Sequence, residues 1–212
     1  MSSKFLILLK YDCNNLNIRY RLLQNLLSLF IISSISMPMI TDISRISAMA
    51  PLFIITSLPV LILSMCGKLF HDDAENGILD FCIIHYGVLC IALSKFIAIS
   101  GFCVIITLIA MPIFSLFFNL SNLELMLLLS ACLIISIYTC ALCVLVSSME
   151  HYFVKSQVLI ASIILPLLIP QIILCGIIIE NQSLQLIFLA FGVCLIISSI
   201  AILFASMLVK NQ

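Results

Sequence analysis

The chain has very few charged residues and no tryptophan. Only 8% of its 212 residues are charged and 64% are hydrophobic, whereas about a quarter of the residues in a typical soluble domain are charged. This composition excludes an ordinary soluble domain and predicts an integral membrane protein. Nine basic and nine acidic side chains give a net charge of zero, and no segment carries a run of basic residues. The chain therefore offers no surface for nucleic acid.

Ionisable residues are missing from the middle of every long apolar run. Such a residue inside a membrane costs roughly 2.5 to 3.5 kcal/mol and usually marks an ion pathway or a proton relay. Their absence argues against an ion-coupled transporter and against an intramembrane aspartyl protease. Gln171 and the serines and threonines are the polar groups left inside, and such groups more often bond between helices than bind substrate.

Enzymatic machinery is also missing. No nucleophile with its base falls within an apolar run, and no histidine is placed to bind a metal, so no catalytic and no metal site is predicted. Gly67-Lys68 is similar to the end of a phosphate-binding loop, but Leu69 stands where that loop requires Ser or Thr. We therefore expect no nucleotide site in the chain itself.

Six apolar runs are long enough to be membrane-spanning helices, since a bilayer core about 30 Å thick needs roughly 20 residues. They cover residues 22–40, 48–67, 88–118, 125–148, 157–179 and 184–209. The sequence thus predicts an all-α polytopic membrane protein, with one transmembrane domain over residues 1–212. Pro112 predicts a bend in the third run, which is long enough to be tilted or broken.

The basic residues predict the orientation of the six spans, because short cytoplasmic loops retain positive charge. Eight of them fall on one side and only Arg45 on the other. The eight are Lys4, Lys10, Arg19, Arg21, Lys68, Lys95, Lys155 and Lys210. Both termini and the connection 68–87 are therefore expected in the cytoplasm. Residues 1–21 are predicted to form an interfacial helix with bases at headgroup level; a frayed tail is the alternative.

Two prolines lie four residues apart in the fifth run. Pro166 and Pro170 share one face of that helix, and each removes a backbone hydrogen bond. They predict a kinked or discontinuous span. Such a break is either a hinge between two conformations or a static bend, and the sequence does not choose between them.

The stretch KLFHDDAENGILD, residues 68–80, concentrates four of the nine acidic residues in one connection. A helical period places Phe70, Ala74, Gly77, Ile78 and Phe81 on one stripe. The polar residues Asp72, Asp73, Glu75, Asn76 and Asp80 cover the remainder. This pattern predicts a short amphipathic surface helix, although Asn76-Gly77 favours a turn and two half-elements are the alternative. We interpret the acids as a docking surface for a basic or polar partner rather than as a solvated loop.

Two stretches resemble the haem exporter protein B family (CcmB), the membrane subunit of an ABC-type complex in cytochrome c maturation. In ISAMAPLFIITSLPVLILSMCGKLFHDDAENGILD, an Ala-Pro pair opens the span at Ala50-Pro51. The family's order of a base, Leu-Phe, Asp-Asp, Gly, Leu and an acid is matched by Lys68, Leu69, Phe70, Asp72, Asp73, Gly77, Leu79 and Asp80. The stretch SQVLIASIILPLLIPQIILCG matches through Leu165, Pro166, Ile169 and Pro170. One departure is Gly67, where the family often has an acid.

The resemblance implies an ABC-2 type exporter fold in which segments 1–21 and 68–87 contact an ATPase subunit. It implies ATPase coupling through Lys68, Phe70, Asp72, Asp73, Glu75, Gly77 and Asp80. The implied partners are that ATPase, a haem-handling membrane subunit, a membrane-anchored haem chaperone and a second copy of the chain. No cofactor is expected to bind directly; haem is possible cargo, and ATP acts through the partner. The bacterial inner membrane is the expected location, with the mitochondrial inner membrane as the alternative.

The leading hypothesis is a permease subunit that couples ATP hydrolysis in a partner to haem export or to release of the haem-loaded chaperone. The tryptophan-rich haem motif of the haem-handling subunits is impossible in a chain with no tryptophan, which favours a mechanical role. Two alternatives remain open: a non-transporting scaffold of the maturation complex, and an ABC-2 exporter of another hydrophobic substrate such as a lipid or a drug.

Overall fold

A computed structural model describes residues 2–20, 28, 31–32, 43–63, 69–118, 120–152 and 157–210. This part of the chain is all-helical and contains no strand. Its helices are α1 (Ser2–Tyr20), α2 (Ile43–Leu63), α3 (His71–Glu75), α4 (Ile78–Tyr86), α5 (Val88–Phe118), α6 (Asn122–Tyr152), α7 (Gln157–Asn181) and α8 (Leu184–Lys210). The predicted all-α class is therefore confirmed for the described residues.

Three of these helices are long and apolar enough to cross a membrane. They are Val88–Leu116 in α5, Asn122–Met149 in α6 and Gln185–Lys210 in α8, and shorter apolar helices cover Ala50–Leu63 and Pro166–Asn181. The chain thus has the helices of a membrane protein. The first predicted span, 22–40, lies outside the described residues apart from three positions.

The start of α6 illustrates a local signal in the sequence. Ser121 and Glu124 form a capping box: the Glu124 carboxylate accepts the Ser121 backbone N–H at 2.9 Å, and the Ser121 hydroxyl accepts the Glu124 N–H at 3.4 Å. This pairing satisfies backbone donors that the first turn leaves free. The helix consequently begins at Asn122, three residues before the predicted span.

Helix α6 lies at the centre of the bundle. It packs against α2, α5 and α7, and most extensively against α8. Within the membrane-length windows, 72% of the α6 residues are buried, against 39% in α5 and 28% in α8. Small side chains at Ala131, Cys132, Cys140 and Ala141 are fully buried, and such residues let helix backbones approach closely.

The prolines do not interrupt their helices. Helix α5 continues through Pro112, and α7 continues through Pro166 and Pro170, both of which are exposed. Of the two predicted alternatives for the fifth span, the discontinuous helix is wrong for this structure, and the kinked helix stays a prediction. Between the two prolines, the Leu167 carbonyl accepts a 2.6 Å hydrogen bond from the Tyr138 hydroxyl of α6. This bond joins α6 to α7 at the level of the two prolines.

Candidate functional site

Residues 69–86 form two short helices rather than one. Gly77 separates α3 from α4 with a left-handed backbone (φ 69°, ψ 6°), and its N–H donates to the Ala74 carbonyl at 3.1 Å. Glycine adopts this conformation without the steric cost that a Cβ imposes. The alternative of two half-elements is confirmed, and the single amphipathic helix is wrong.

The predicted apolar stripe is wrong for the same reason. Phe70 is buried and Ala74 and Ile78 are half-buried, but Gly77 and Phe81 are exposed. Leu79 and Cys82 are buried in their place, together with the acidic residue Asp73. A helical period cannot be continued through a left-handed residue, because that residue changes the direction of the helix axis.

Asp73 belongs to a buried ion cluster, which we define as Asp12, Asp73 and Lys95. Lys95 Nζ lies 2.5 Å from Asp73 Oδ2 and 3.5 Å from Asp12 Oδ1. Each of the three side chains is only 5 to 6% exposed. The three residues come from α1, α3 and α5, so the cluster joins the N-terminal helix, segment 69–86 and a membrane-length helix at one point.

Ordinary helical packing brings these side chains together. In α1, the buried residues Leu8, Asp12 and Leu16 recur every four positions and so form one stripe, and α1 packs against α5. Lys95 lies two turns into α5 between the buried residues Ile91 and Ile99. Asp12 therefore faces α5 because its apolar neighbours bury that side of the helix.

Further polar contacts complete the site. The Ser94 hydroxyl donates to Asp12 Oδ2 at 2.5 Å, and the Tyr11 hydroxyl donates to Asp73 Oδ1 at 3.4 Å. Lys95 Nζ also lies 5.2 Å from the centre of the Phe70 ring, a distance at which the ring attracts a cation. The Phe70 N–H donates to Ser147 Oγ of α6 at 3.3 Å. Segment 69–86 is thus attached to α1, α5 and α6.

The cluster contains two carboxylates for one ammonium group. Burial raises the pKa of Asp12, and this effect exceeds the opposing effects of Lys95 and the Ser94 hydrogen bond. Burial, followed by the charge of Asp73, raises the pKa of Tyr11 to about 12. Tyr11 is therefore a neutral hydrogen-bond donor near neutral pH. We expect Asp12 to accept a proton on acidification.

Segment 69–86 also presents an exposed surface, the outer face of α4, consisting of Asp80, Phe81, Ile84 and His85. Phe81 is 56% exposed and Ile84 is 80% exposed. The Phe81 and His85 rings are stacked with their centroids 4.1 Å apart. Large apolar side chains outside the core are typical of a surface that meets a partner protein or the membrane.

The structure divides the residues predicted for ATPase coupling. It brings Phe70 and Asp73 into the buried site, whereas Glu75, Gly77 and Asp80 are exposed. Asp72 lies in α3, and Lys68 is outside the described residues. Pro166 and Pro170 lie on α7, away from these contacts, and their role as a hinge stays a prediction.

Sequence reasoning did not identify the partners of Asp73. Lys95, expected beside a cytoplasmic connection, is buried in α5, and Asp12 lies in a helix expected to carry bases at headgroup level. A signal for Asp12 existed in its spacing from Leu8 and Leu16. Among the described residues, no three His, Cys, Asp or Glu side chains are grouped as metal ligands.

Comparison with known proteins gives two similar sequences. No protein-family model matches the chain. The uncharacterized protein RC0356 of Rickettsia conorii is 29% identical over 211 residues, covering 100% of this chain and 98% of that protein. The uncharacterized protein RP268 of Rickettsia prowazekii is 30% identical over 182 residues, covering 86% of this chain and 85% of that protein. The chain belongs to the same protein family as these rickettsial proteins.

Proposed function

We propose that the chain is a six-span, ABC-2-like permease subunit, similar to the haem exporter protein B family. In this proposal, a separate ATPase subunit hydrolyses ATP, and the chain couples that hydrolysis to haem export or to release of a haem-loaded chaperone. Both termini and segment 68–87 lie in the cytoplasm, and the protein resides in the bacterial inner membrane. The other partners are a haem-handling membrane subunit, the membrane-anchored chaperone and a second copy of the chain.

The observation that carries the proposal is that segment 69–86 has two different sides, one bonded to the membrane-length helices and one exposed. Its inner side is fixed to the membrane-length helices: Asp73 pairs with Lys95 of α5, and the Phe70 N–H donates to Ser147 of α6. Its outer face is free of the core and carries Asp80, Phe81 and Ile84. A partner that moves this face would therefore pull on α5 and α6 through buried contacts.

The ion cluster gives that connection its stiffness. Removing one member of a buried ion pair costs about 3 to 5 kcal/mol, so a small displacement by a partner would not separate Asp73 from Lys95. Because Asp12 also contacts Lys95, α1 would move with the segment. The two regions expected to meet an ATPase, 1–21 and 68–87, are thus mechanically linked.

The test replaces the outer face of α4 without touching the cluster. Asp80→Lys combined with Ile84→Lys reverses the charge and removes the apolar contact. We expect holo-cytochrome c to fall by about tenfold or more, as a loss of 1.4 kcal/mol in docking would produce. Glu180→Lys, at an exposed acid near the end of α7, is the matched control. Normal holo-cytochrome c in the double variant, or in cells without the chain, would refute the proposal.

An inactive ATPase distinguishes coupling from the scaffold alternative. If the chain only assembles the maturation complex, a partner that binds ATP without hydrolysing it will still support holo-cytochrome c formation. If hydrolysis is coupled through segment 69–86, the same partner will dock normally and holo-cytochrome c will be lost.

A further inference from the structure

A groove runs along α1 beside its buried stripe. Ile7, Lys10, Tyr11 and Asn14 line one wall with helical spacing, Cys13 lies next to them, and Phe102 of α5 forms the other wall. The groove has a volume of about 560 Å³ and is shallow and largely open. It is separate from the outer face of α4, so a ligand bound in the groove does not depend on the proposed function.

One end of the groove is polar and positively charged. The Lys10 and Asn14 side chains are exposed. Lys10 forms no ion pair with any other residue that the structure describes. Its ammonium group and the Asn14 amide are donors suited to the oxygens of a phosphate. The Tyr11 hydroxyl is already bonded to Asp73, so Tyr11 contributes its ring to the wall.

The other end of the groove is apolar and continues along a membrane-length helix. Phe102 shares a face of α5 with Ile105 and Ile109, both of which are exposed. Seven residues of helix cover about 10 Å, so this stripe extends well into the part of α5 that is long and apolar enough to cross a membrane. A ligand that fills the groove and follows the stripe must have a charged end and a hydrocarbon end.

We propose that this groove binds a membrane phospholipid, with its phosphate on Lys10 and Asn14 and an acyl chain along Phe102, Ile105 and Ile109. The lipid would lie between α1 and α5, against the Tyr11 ring. Because Tyr11 also donates to Asp73, the occupied groove would support α1 in the position from which Asp12 reaches Lys95.

Cys13 provides a direct measurement of occupancy. Its half-buried thiol lies in the groove, whereas the half-buried Cys90 near the start of α5 does not. The purified chain in detergent is alkylated with iodoacetamide, and mass spectrometry of the peptides gives the rate at each cysteine. Burial raises the pKa of the Cys13 thiol, so the reaction is run under alkaline conditions.

We expect phosphatidylglycerol to slow Cys13 alkylation by about tenfold at about ten times its Kd, because only the unoccupied fraction reacts, with Cys90 unaffected. Diacylglycerol, which lacks the phosphate, and inorganic phosphate, which lacks the chains, should each protect far less. Lys10→Gln should remove most of the protection, whereas Lys210→Gln, at an exposed lysine at the end of α8, should retain it.

Several results would overturn the proposal. Equal protection by inorganic phosphate would make the groove a simple anion site, and equal protection by diacylglycerol would make it a non-specific hydrophobic surface. Unchanged protection in Lys10→Gln would remove the phosphate contact. A failure of phosphatidylglycerol to slow Cys13 would exclude the site altogether.

Discussion

The region around α6 and the region where α1, α3 and α5 meet are held together by different interactions. Around α6, several buried hydroxyls bond to carbonyls of their own helix, as Thr107 does to Cys103 and Thr139 to Ile135. Polar contacts between helices there include Tyr138 with Leu167 and Gln171 with Ala190. Where α1, α3 and α5 meet, charged groups from three elements share one site.

This difference predicts how each region unfolds. Close packing is spread over many weak contacts, so the α6 region has no single residue on which its stability depends. The ion cluster depends on a single cation, Lys95. Asp12 has no other charged partner among its described contacts. We therefore expect the cluster region to detach from the bundle as a unit while the α6 region stays packed.

Among the variants, Lys95→Met should have the largest effect on the difference in stability between the two regions. It leaves Asp12 and Asp73 buried without a cation, at a cost of about 3 to 5 kcal/mol. Amide exchange in segment 69–86 and α1 should accelerate by about a hundredfold or more, at 1.4 kcal/mol per tenfold. Exchange in the middle of α6 should be unchanged. Lys210→Met is the control at an exposed lysine, and an equal acceleration in α6 would show that the two regions open together.

The bundle could be predicted from sequence far better than the cluster. The third run and α5 share both bounds, because a long apolar run has one stable form in a membrane. Even the turn at Gly77 was indicated by the Asn-Gly pair. The contact between Asp12 and Lys95 could not be predicted, because it joins residues 83 positions apart and a charge near a span end is equally suited to the lipid headgroups.

The pH dependence of stability is a second property that should distinguish the two regions. The folded pKa of Asp12 is raised above its ordinary value of 3.8 by burial, so the folded chain binds the proton more tightly than the unfolded chain. The stability this provides is complete below that ordinary value and is lost as the pH rises through the folded pKa. Each unit of pKa separation is worth about 1.4 kcal/mol.

Asp12→Asn should remove this pH dependence. After correction for the intrinsic pH dependence of exchange, protection of α1 should fall between acidic and neutral pH in the parent chain and stay level in the variant. Among the described residues, the titratable groups bonded to Asp12 or its partners are Asp73, Lys95 and Tyr11, so Tyr11→Phe serves as the control that should keep the parent's slope. A slope of the same size in Asp12→Asn would assign the titration to another group.

The smallest effect that sharpens the comparison comes from two glycines with open space around them. A Cβ added at Gly77 or at Gly101 meets no atom within 4 Å, so alanine there changes only the backbone preference. At Gly77, the left-handed conformation (φ 69°) makes alanine cost about 1 to 2 kcal/mol. At Gly101, inside α5, alanine should stabilise the helix by about 0.5 to 1 kcal/mol.

Amide exchange should therefore accelerate in α3 and α4 for Gly77→Ala and slow in α5 for Gly101→Ala. Changes of the same sign would mean that α3 and α4 can rejoin as one helix, and the turn would then be no fixed part of the site.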